Sequence, residues 1–100
     1  MYIRTATMAD LDKVAQVEAE CFLPAEAATK EAFVGRLQFY GDHFWLLFED
    51  ESEAKLIGFV DGFVTNEADL TDEMYERAEM HDAKGAWQMI FGLNTLPAYR

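Results

Sequence analysis

The sequence has little cysteine, proline or basic charge, and it has no long hydrophobic run. With Cys21 as its single cysteine, the chain cannot form an intramolecular disulfide or a multi-cysteine metal site. Prolines number two and glycines six, and no repeat, low-complexity tract or domain linker is present. No stretch approaches the roughly 18 consecutive apolar residues of a membrane span, and no basic region followed by an apolar one opens the chain. We therefore expect a cytoplasmic protein without a membrane partner.

Acidic residues outnumber basic ones by 19 to 8, which gives a net charge of -11. Most of the excess lies in residues 41–85, which hold thirteen acids and three bases. A negative field repels phosphate, so we expect no nucleic-acid partner. The same field would draw a cation toward a cleft, although a soluble surface is the commoner meaning of such a surplus. With 51% apolar residues, the 100 residues predict one globular domain with a modest core.

Two capped helices are predicted after a short strand at Tyr2–Ala6. The first begins at Thr7, because Thr7-Met8-Ala9-Asp10 has the pattern of a capping box, and it closes before Pro24. Its apolar residues recur at helical spacing, at Leu11, Val14, Val17 and Cys21. Cys21 is expected to be a small buried apolar residue, since no histidine lies nearby in sequence to make it a nucleophile. Thr29 caps the second helix, which ends at Gly41.

Three further strands are predicted in the rest of the chain. Residues 43–49 are apolar on both faces and should form a central strand, which a charged turn joins to an antiparallel strand at 55–65. An acidic excursion at 66–84 contains a short helix that Thr71 caps. The last strand covers 86–95. This order predicts an α+β fold, a mostly antiparallel sheet flanked by helices.

The last predicted strand has Trp87, Met89, Phe91 and Leu93 on one side. Such an apolar strand should be buried on at least one face and paired along both edges. The chain offers no later strand to pair it. We therefore expect the strand to lead into further polypeptide.

The order of elements and the ending LNTLPAYR together resemble the GNAT superfamily of acetyl-CoA-dependent acetyltransferases. The resemblance begins at IRTATMADLDKV and covers essentially all 100 residues, which correspond to the N-terminal portion of a single GNAT domain. Within the superfamily, ECF at Cys21, HFWLLFEDESEAKLIGFVDG and DLTDEMYERAEMH resemble the arylalkylamine N-acetyltransferases. The family's glycine-rich pyrophosphate loop would begin at Arg100, and the rest of that loop is not in this sequence.

The resemblance implies acetyl-CoA as cosubstrate, held along the last strand. In the family, the pantetheine amides pair with the free edge of that strand, and a main-chain N–H near a bulge stabilises the oxyanion. By alignment, these positions are Leu93, Asn94 and Thr95, with Arg100 at the start of the phosphate loop. No metal is implied. The family's general acid would lie beyond Arg100, so the 100 residues alone are expected to be inactive.

The catalytic base is the main departure from the arylalkylamine pattern. Two histidines serve that group on the last strand, and Met89 and Phe91 stand at the corresponding positions here. Glu67 and Asp61 are the remaining carboxylates near the expected site, and Glu67 and His81 are the candidates for the base. The alternatives are that Glu67 and Asp61 are solvated surface acids, that His81 is an exposed loop histidine and that His43 caps or packs at a strand start.

Phe22, Leu23 and Pro24 correspond to the family's mobile substrate loop. They would give an aromatic amine an apolar floor, and the alternative is an ordinary turn in which Phe22 fills the core. The resulting functional hypothesis is an N-acetyltransferase that acts on a small primary amine by direct attack on the thioester. Two other hypotheses remain. One is a truncated, non-catalytic relative that forms a homodimer through the open edge of its last strand, and the other is a small acidic protein-binding module.

Overall fold

A computed structural model describes the whole chain, Met1–Arg100. It contains six strands and three α-helices, joined by four short 3₁₀ turns. In chain order these are β1 (Tyr2–Thr5), α1 (Leu11–Cys21), α2 (Lys30–Tyr40), β2 (Phe44–Phe48), β3 (Leu56–Asp61), β4 (Val64–Thr65), α3 (Asp72–Glu76), β5 (Trp87–Gln88) and β6 (Gly92–Thr95). The main sheet is antiparallel throughout and has the order β1-β2-β3-β6, and β4 pairs with β5 separately.

The helix starts follow the capping residues that the sequence predicts. The main-chain N–H of Thr7 donates to the Asp10 carboxylate (2.8 Å) in a capping box, and a 3₁₀ turn there leads into α1. The hydroxyl of Thr29 accepts the N–H of Ala32 (3.2 Å) at the start of α2. Thr71 precedes α3 as its N-cap, although its side chain makes no capping hydrogen bond.

One face of the sheet is covered by α1 and α2. Phe44, Leu46 and Phe48 alternate along β2 and are fully buried on this face. Phe33 of α2 packs edge-on against Phe59 of β3, with ring centroids 5.8 Å apart. The strand predicted to be central is therefore confirmed as central, and its alternating phenylalanines form much of the core.

The opposite face of the sheet is apolar and uncovered. The strand register places Ile3 beside Leu47, Trp45 beside Val60, and Val60 beside Leu93. Ile3 is 64% exposed and Leu93 is 75% exposed. The two faces therefore differ sharply in how much of their apolar surface is buried.

The strand predicted at 86–95 is wrong as a continuous element. Its first part, β5, pairs with β4, and its second part, β6, pairs with β3. The Gln88 side chain donates to the carbonyls of Gly62 and Met89, at 2.6 and 2.7 Å, and so bonds main-chain groups within the break. Because of the break, Met89 is buried in the core, whereas Leu93 lies on the uncovered face. The strand predicted at 55–65 is likewise divided, into β3 and β4.

The outer edge of β6 has no strand beside it. The Leu96 N–H donates to the Ile57 carbonyl (2.8 Å), and hydrogen-bonded pairs alternate along an antiparallel ladder, so Asn94 bonds Phe59 in the same way. The main-chain groups of Leu93 and Thr95 therefore point toward the open edge.

The helices of the fold are short. The longest, α1 and α2, have eleven residues each, and none has the length and apolarity needed to cross a bilayer.

Candidate functional site

A cleft of about 520 Å³ opens on the helix side of the sheet, next to β6. Its walls come from the end of α1, the segment that joins α1 to α2, the first half of α2, the end of α3 and the start of β6. The lining residues are Glu18, Phe22, Glu26, Ala27, Ala28, Thr29, Ala32, Arg36, Asp61, Tyr75, Glu76, Phe91, Gly92 and Asn94. Four of them are acids and one, Arg36, is a base.

Asp61 is the most deeply buried titratable residue of the cleft, with 0% of its surface exposed. Its Oδ2 accepts from the Tyr40 hydroxyl (3.1 Å) and from Arg36 Nη1 (3.3 Å), whereas its Oδ1 has no partner. Burial raises the pKa of Asp61 to about 6, against the opposing effects of Arg36 and Tyr40. A buried carboxylate with one free oxygen and a raised pKa can take up a proton near neutral pH.

The prediction that Asp61 is a solvated surface acid is wrong. Asp61 stands two residues after Phe59 on β3, and alternate residues of a strand share a face. Because Phe59 faces the core, Asp61 faces the helices. Alternation alone could not have shown this from the sequence, because the residues on both faces of β3 are apolar.

Glu18 and Asn94 form a second buried polar pair in the cleft. Asn94 Nδ2 donates to Glu18 Oε1 (2.5 Å), and the Ala28 N–H donates to Glu18 Oε2 (2.7 Å). The Asn94 carboxamide oxygen has no partner, although Asn94 is only 3% exposed. Native proteins pair nearly all buried polar atoms, so the free oxygens of Asp61 and Asn94, together with the unpartnered Nε of Arg36, indicate a ligand site.

Gly92 leaves open the space between these two oxygens. A Cβ at this position would lie 3.1 Å from Asp61 Oδ1 and 3.8 Å from Asn94 Oδ1. Glycine thus leaves room for both oxygens, which are themselves buried.

Aromatic side chains form much of the cleft's apolar surface. Phe22 lies at its wall and is 39% exposed, so it lines the cleft and does not fill the core. Phe91 packs against Tyr75, with ring centroids 5.0 Å apart. Leu23 and Pro24, which the sequence places in the same substrate loop, are exposed and do not line the cleft. Of the three predicted substrate-loop residues, the structure places only Phe22 at the cleft.

Glu67 and His81, the candidates for the base, lie outside this cleft. Glu67 is exposed after β4. His81 is half-buried, its Nδ1 accepts the Val64 N–H (3.0 Å), and burial lowers its pKa. The structure therefore does not bring either of them together with Asp61, and their catalytic role stays a prediction.

Asp42, His43 and His81 form a separate cluster whose potential metal-ligand atoms lie within 4.8 Å of one another. His43 packs edge-on against Trp45, and its Nδ1 donates to Gln88 Oε1 (2.7 Å), which leaves a free lone pair on its Nε2. His81 already accepts a hydrogen bond at Nδ1, so in its neutral form the proton sits on Nε2. Only one of the two imidazoles therefore has a lone pair free for a metal.

The open edge of β6 runs beside the cleft. The Thr95 carbonyl accepts from Arg100 Nε (2.9 Å) and from the Cys21 thiol (3.6 Å), so Arg100 lies at the far end of this edge. Cys21 is half-buried and packs against the core. Asn94 directs its main chain at β3 and its side chain into the cleft.

No protein-family model matches the chain, and no curated protein matches it. The solved structures that match include two that cover nearly all of it. The GphF GNAT-like decarboxylase, in complex with isobutyryl-CoA, is 27% identical over 100% of this chain and 51% of its own, with a TM-score of 0.84. The loading GNATL domain of CurA from Lyngbya majuscula is 16% identical over 99% of this chain and 49% of its own, with a TM-score of 0.80.

The chain therefore spans about half the length of the solved chains it matches. Both neighbours are GNAT-like, which supports the GNAT superfamily. The predicted fold, an antiparallel α+β sheet that corresponds to part of a GNAT domain, is confirmed.

Proposed function

We propose that this chain contributes the acceptor side of an acyl-CoA-dependent N-acyltransferase that acts on a small primary amine, with arylalkylamines as the class to test first. One observation carries the proposal. The buried Asp61 carboxylate, which has one oxygen without a donor, lies at the wall of a cleft beside the unpaired edge of β6. A proton acceptor and a free strand edge are the two features that such a transfer requires side by side.

The charge and shape of the cleft favour an aromatic amine. Glu18 and Asp61 lie at its inner wall, Glu26 and Glu76 are exposed on its outer walls, and Arg36 is the one base among them. Such a surplus of carboxylates attracts a cation. Three aromatic rings, those of Phe22, Tyr75 and Phe91, would contact an aryl group. With a pKa of about 6, Asp61 is ionised at neutral pH and can accept the amine proton, directly or through water.

The open edge of β6 fits a pantetheine chain. Leu93 presents its N–H and carbonyl, and Thr95 its N–H, to a partner that pairs like an added strand. Asn94 would contribute its carboxamide oxygen, and Arg100, at the far end of the edge, would favour the phosphates. When bound, acyl-CoA supplies the thioester. The amine nitrogen loses a proton to Asp61 and forms the C–N bond, the C–S bond breaks, and coenzyme A leaves as a thiolate that takes up a proton to become the thiol. The donor to test first is acetyl-CoA.

Decarboxylation of an acyl-CoA is the second candidate, because GphF is a GNAT-like decarboxylase. That reaction leaves negative charge on the thioester oxygen as CO2 departs, and hydrogen-bond donors must stabilise it. Arg36 is the only base in the cleft against four acids; its Nη1 pairs with Asp61, and its buried Nε has no partner. The charge of the cleft therefore favours the amine.

One assay separates the two candidates. The polypeptide that carries this chain is incubated with radiolabelled acetyl-CoA and phenethylamine, and separately with carboxyl-labelled malonyl-CoA. We expect N-acetylphenethylamine and no labelled CO2 above background. Labelled CO2 without amide product would overturn the proposal in favour of decarboxylation.

A homodimer is a further proposal that concerns the partner of this chain. The uncovered face around Trp45 and Leu47 and the unpaired edge of β6 are the surfaces that a second copy would cover. Light scattering on the 100-residue chain, with and without acetyl-CoA, measures this directly. A monodisperse monomer would exclude the non-catalytic dimer as the function.

A further inference from the structure

We propose that Glu18 determines which ligands the cleft accepts, by holding the Asn94 carboxamide so that two buried acceptor oxygens are left without donors at the cleft wall. The inner end of the cleft then selects a hydrogen-bond donor of the primary ammonium class. This inference rests on the proposed function for the identity of the amine, and its binding test does not depend on acyl transfer.

The orientation of Asn94 follows from the chemistry of its partner. An ionised carboxylate only accepts hydrogen bonds, so the Asn94 atom 2.5 Å from Glu18 Oε1 must be the NH₂ group. The carboxamide oxygen consequently turns away from Glu18 and lies near Gly92 of the cleft wall, where it has no protein donor. Asn94 is 76 residues from Glu18 along the chain, and its orientation depends on this one contact.

Glu18 carries its charge without a basic partner. It is 9% exposed, it forms no ion pair, and both its donors are neutral, the Asn94 carboxamide and the Ala28 N–H. Its second hydrogen bond fixes Ala28 in the segment that walls the cleft. Glu18 thus acts on the ligand through Asn94 and through the electrostatic field of its carboxylate. It is a positioning residue.

The field of Glu18 also acts on Asp61. The charged or titratable groups that touch Asp61 are Arg36 and Tyr40 of α2, and Glu18 of α1 raises its pKa from across the cleft. Tyr75 and Glu76 of α3, and Glu26, line the same cleft. Removal of the Glu18 charge should therefore lower the pKa of Asp61.

The substitution E18Q tests this mechanism because it changes the number of acceptors but not the shape of the side chain. An amide at position 18 has one oxygen for two donors, Asn94 Nδ2 and the Ala28 N–H. The Asn94 carboxamide can resolve the conflict by a flip, which turns its NH₂ group into the cleft. The inner wall then presents a donor where the ammonium needs an acceptor.

The double variant E18Q/N94D restores the original polarity. The amide at position 18 donates to the new carboxylate and accepts from Ala28, and the second oxygen of that carboxylate faces the cleft again. The double variant also restores the negative charge, which then lies at position 94 instead of position 18. A role limited to packing would not be rescued by this exchange.

The experiment is an NMR titration of the 100-residue chain with phenethylamine, and with phenylacetate as the ligand of opposite charge. We expect E18Q to weaken phenethylamine binding about tenfold or more, because the ammonium loses one charge-assisted hydrogen bond. E18Q/N94D should return to within about threefold of the parent. The carboxyl ¹³C titration of Asp61, followed in the same three proteins, should move to lower pH in E18Q and back in the double variant.

Two outcomes would overturn the inference. One is equal binding of phenethylamine by the parent and E18Q, and the other is loss of binding in E18Q that the double variant does not recover although circular dichroism shows all three folded. Failure of the proposed function gives a different result. In that case Glu18-dependent amine binding persists, and the polypeptide that carries the chain transfers no acyl group.

Discussion

Asp10 and Asp61 are both buried aspartates that face an arginine, yet the fold uses them in opposite ways. Asp10 precedes α1 and has both oxygens bonded, to Arg4 at 2.7 and 2.8 Å and to the Thr7 N–H at 2.8 Å. Asp61 ends β3 and has donors on one oxygen only, at 3.1 and 3.3 Å. The Arg4 hydrogen bonds hold the pKa of Asp10 below its usual value, whereas burial raises that of Asp61 to about 6.

The comparison separates a structural carboxylate from an available one. Burial alone does not distinguish them, because Asp10 is 5% exposed and Asp61 0%. The two aspartates differ in how many of their oxygens accept hydrogen bonds. Asp10 is a capping residue and an ion-pair partner with no oxygen to spare, while Asp61 retains an oxygen and a proton affinity that the fold itself does not need.

The largest expected effect is the loss of acyl transfer when Asp61 loses its basicity. In the polypeptide that carries this chain, D61N should lower kcat/KM about 10² to 10⁴-fold, the usual contribution of a general base. The carboxamide keeps an acceptor for Tyr40 and Arg36, so the fold should survive. Steady-state assays with phenethylamine and acetyl-CoA measure the change.

The matched control for this variant is D69N. Asp69 is exposed in the acidic segment after β4, and D69N therefore removes the same charge from the surface. Its kcat/KM should stay within about twofold of the parent. If D61N and D69N behave alike, Asp61 is not the base.

The second effect is on stability, where the two aspartates predict opposite dependences on pH. The pKa of Asp61 is raised on folding, so its contribution to stability is fully present below its unfolded value of 3.8 and is lost as the pH rises through about 6. A shift of this size corresponds to roughly 3 kcal/mol. Asp10 has a lowered pKa, and its contribution is lost only as the pH falls below 3.8.

Urea unfolding of the parent and D61N between pH 4 and 8 isolates this contribution. The lowered pKa of His81 contributes a slope of the opposite sign below pH 6.5, and it does so in both proteins. The difference between the two curves therefore belongs to Asp61, and it should grow from pH 4 to pH 7. Parallel curves would mean that Asp61 titrates normally in the folded chain.

Local signals in the sequence were enough to predict most of the fold. The capping residues Thr7 and Thr29, the apolar run at 43–49 and the charged turn after it each specify structure within a few residues. The break between β5 and β6 could not be predicted in this way. It depends on Gln88, whose side chain bonds main-chain groups of a segment about 25 residues earlier in the chain.

The candidate site was less predictable, because its contacts join distant parts of the chain. Glu18 reaches Asn94 across 76 residues, and Arg36 reaches Asp61 across 25. The burial of Asp61 could not be predicted, because both faces of its strand are apolar. The resemblance predicted that Leu93, Asn94 and Thr95 bind the cofactor. In the structure they differ: Leu93 and Thr95 present main-chain groups at the open edge of β6, whereas Asn94 lines the cleft with its side chain.

The third expected effect is a loss of stability when Asp10 is replaced. D10N should lower the free energy of unfolding by about 2 kcal/mol, because it weakens two hydrogen bonds with Arg4 and the capping box. The affinity for phenethylamine should not change. The control is D12N, two residues along, where an exposed ion pair with Lys30 should contribute much less. Equal losses in the two variants would contradict the structural role of Asp10.

The smallest expected effect concerns Asp61 Oδ1, the oxygen that has no hydrogen-bond donor. G92A adds a methyl group 3.1 Å from Asp61 Oδ1 and 3.8 Å from Asn94 Oδ1, and the backbone there has no positive φ that would strain an alanine. The methyl should obstruct the approach of an ammonium and weaken phenethylamine binding about tenfold, close to 1.4 kcal/mol. In G35A the added methyl meets only Ala78 at 3.8 Å, an ordinary contact, and binding should be unchanged. If G92A binds the amine as tightly as G35A, the free oxygen of Asp61 is not where the amine sits, and the difference between the two aspartates would have no bearing on the ligand.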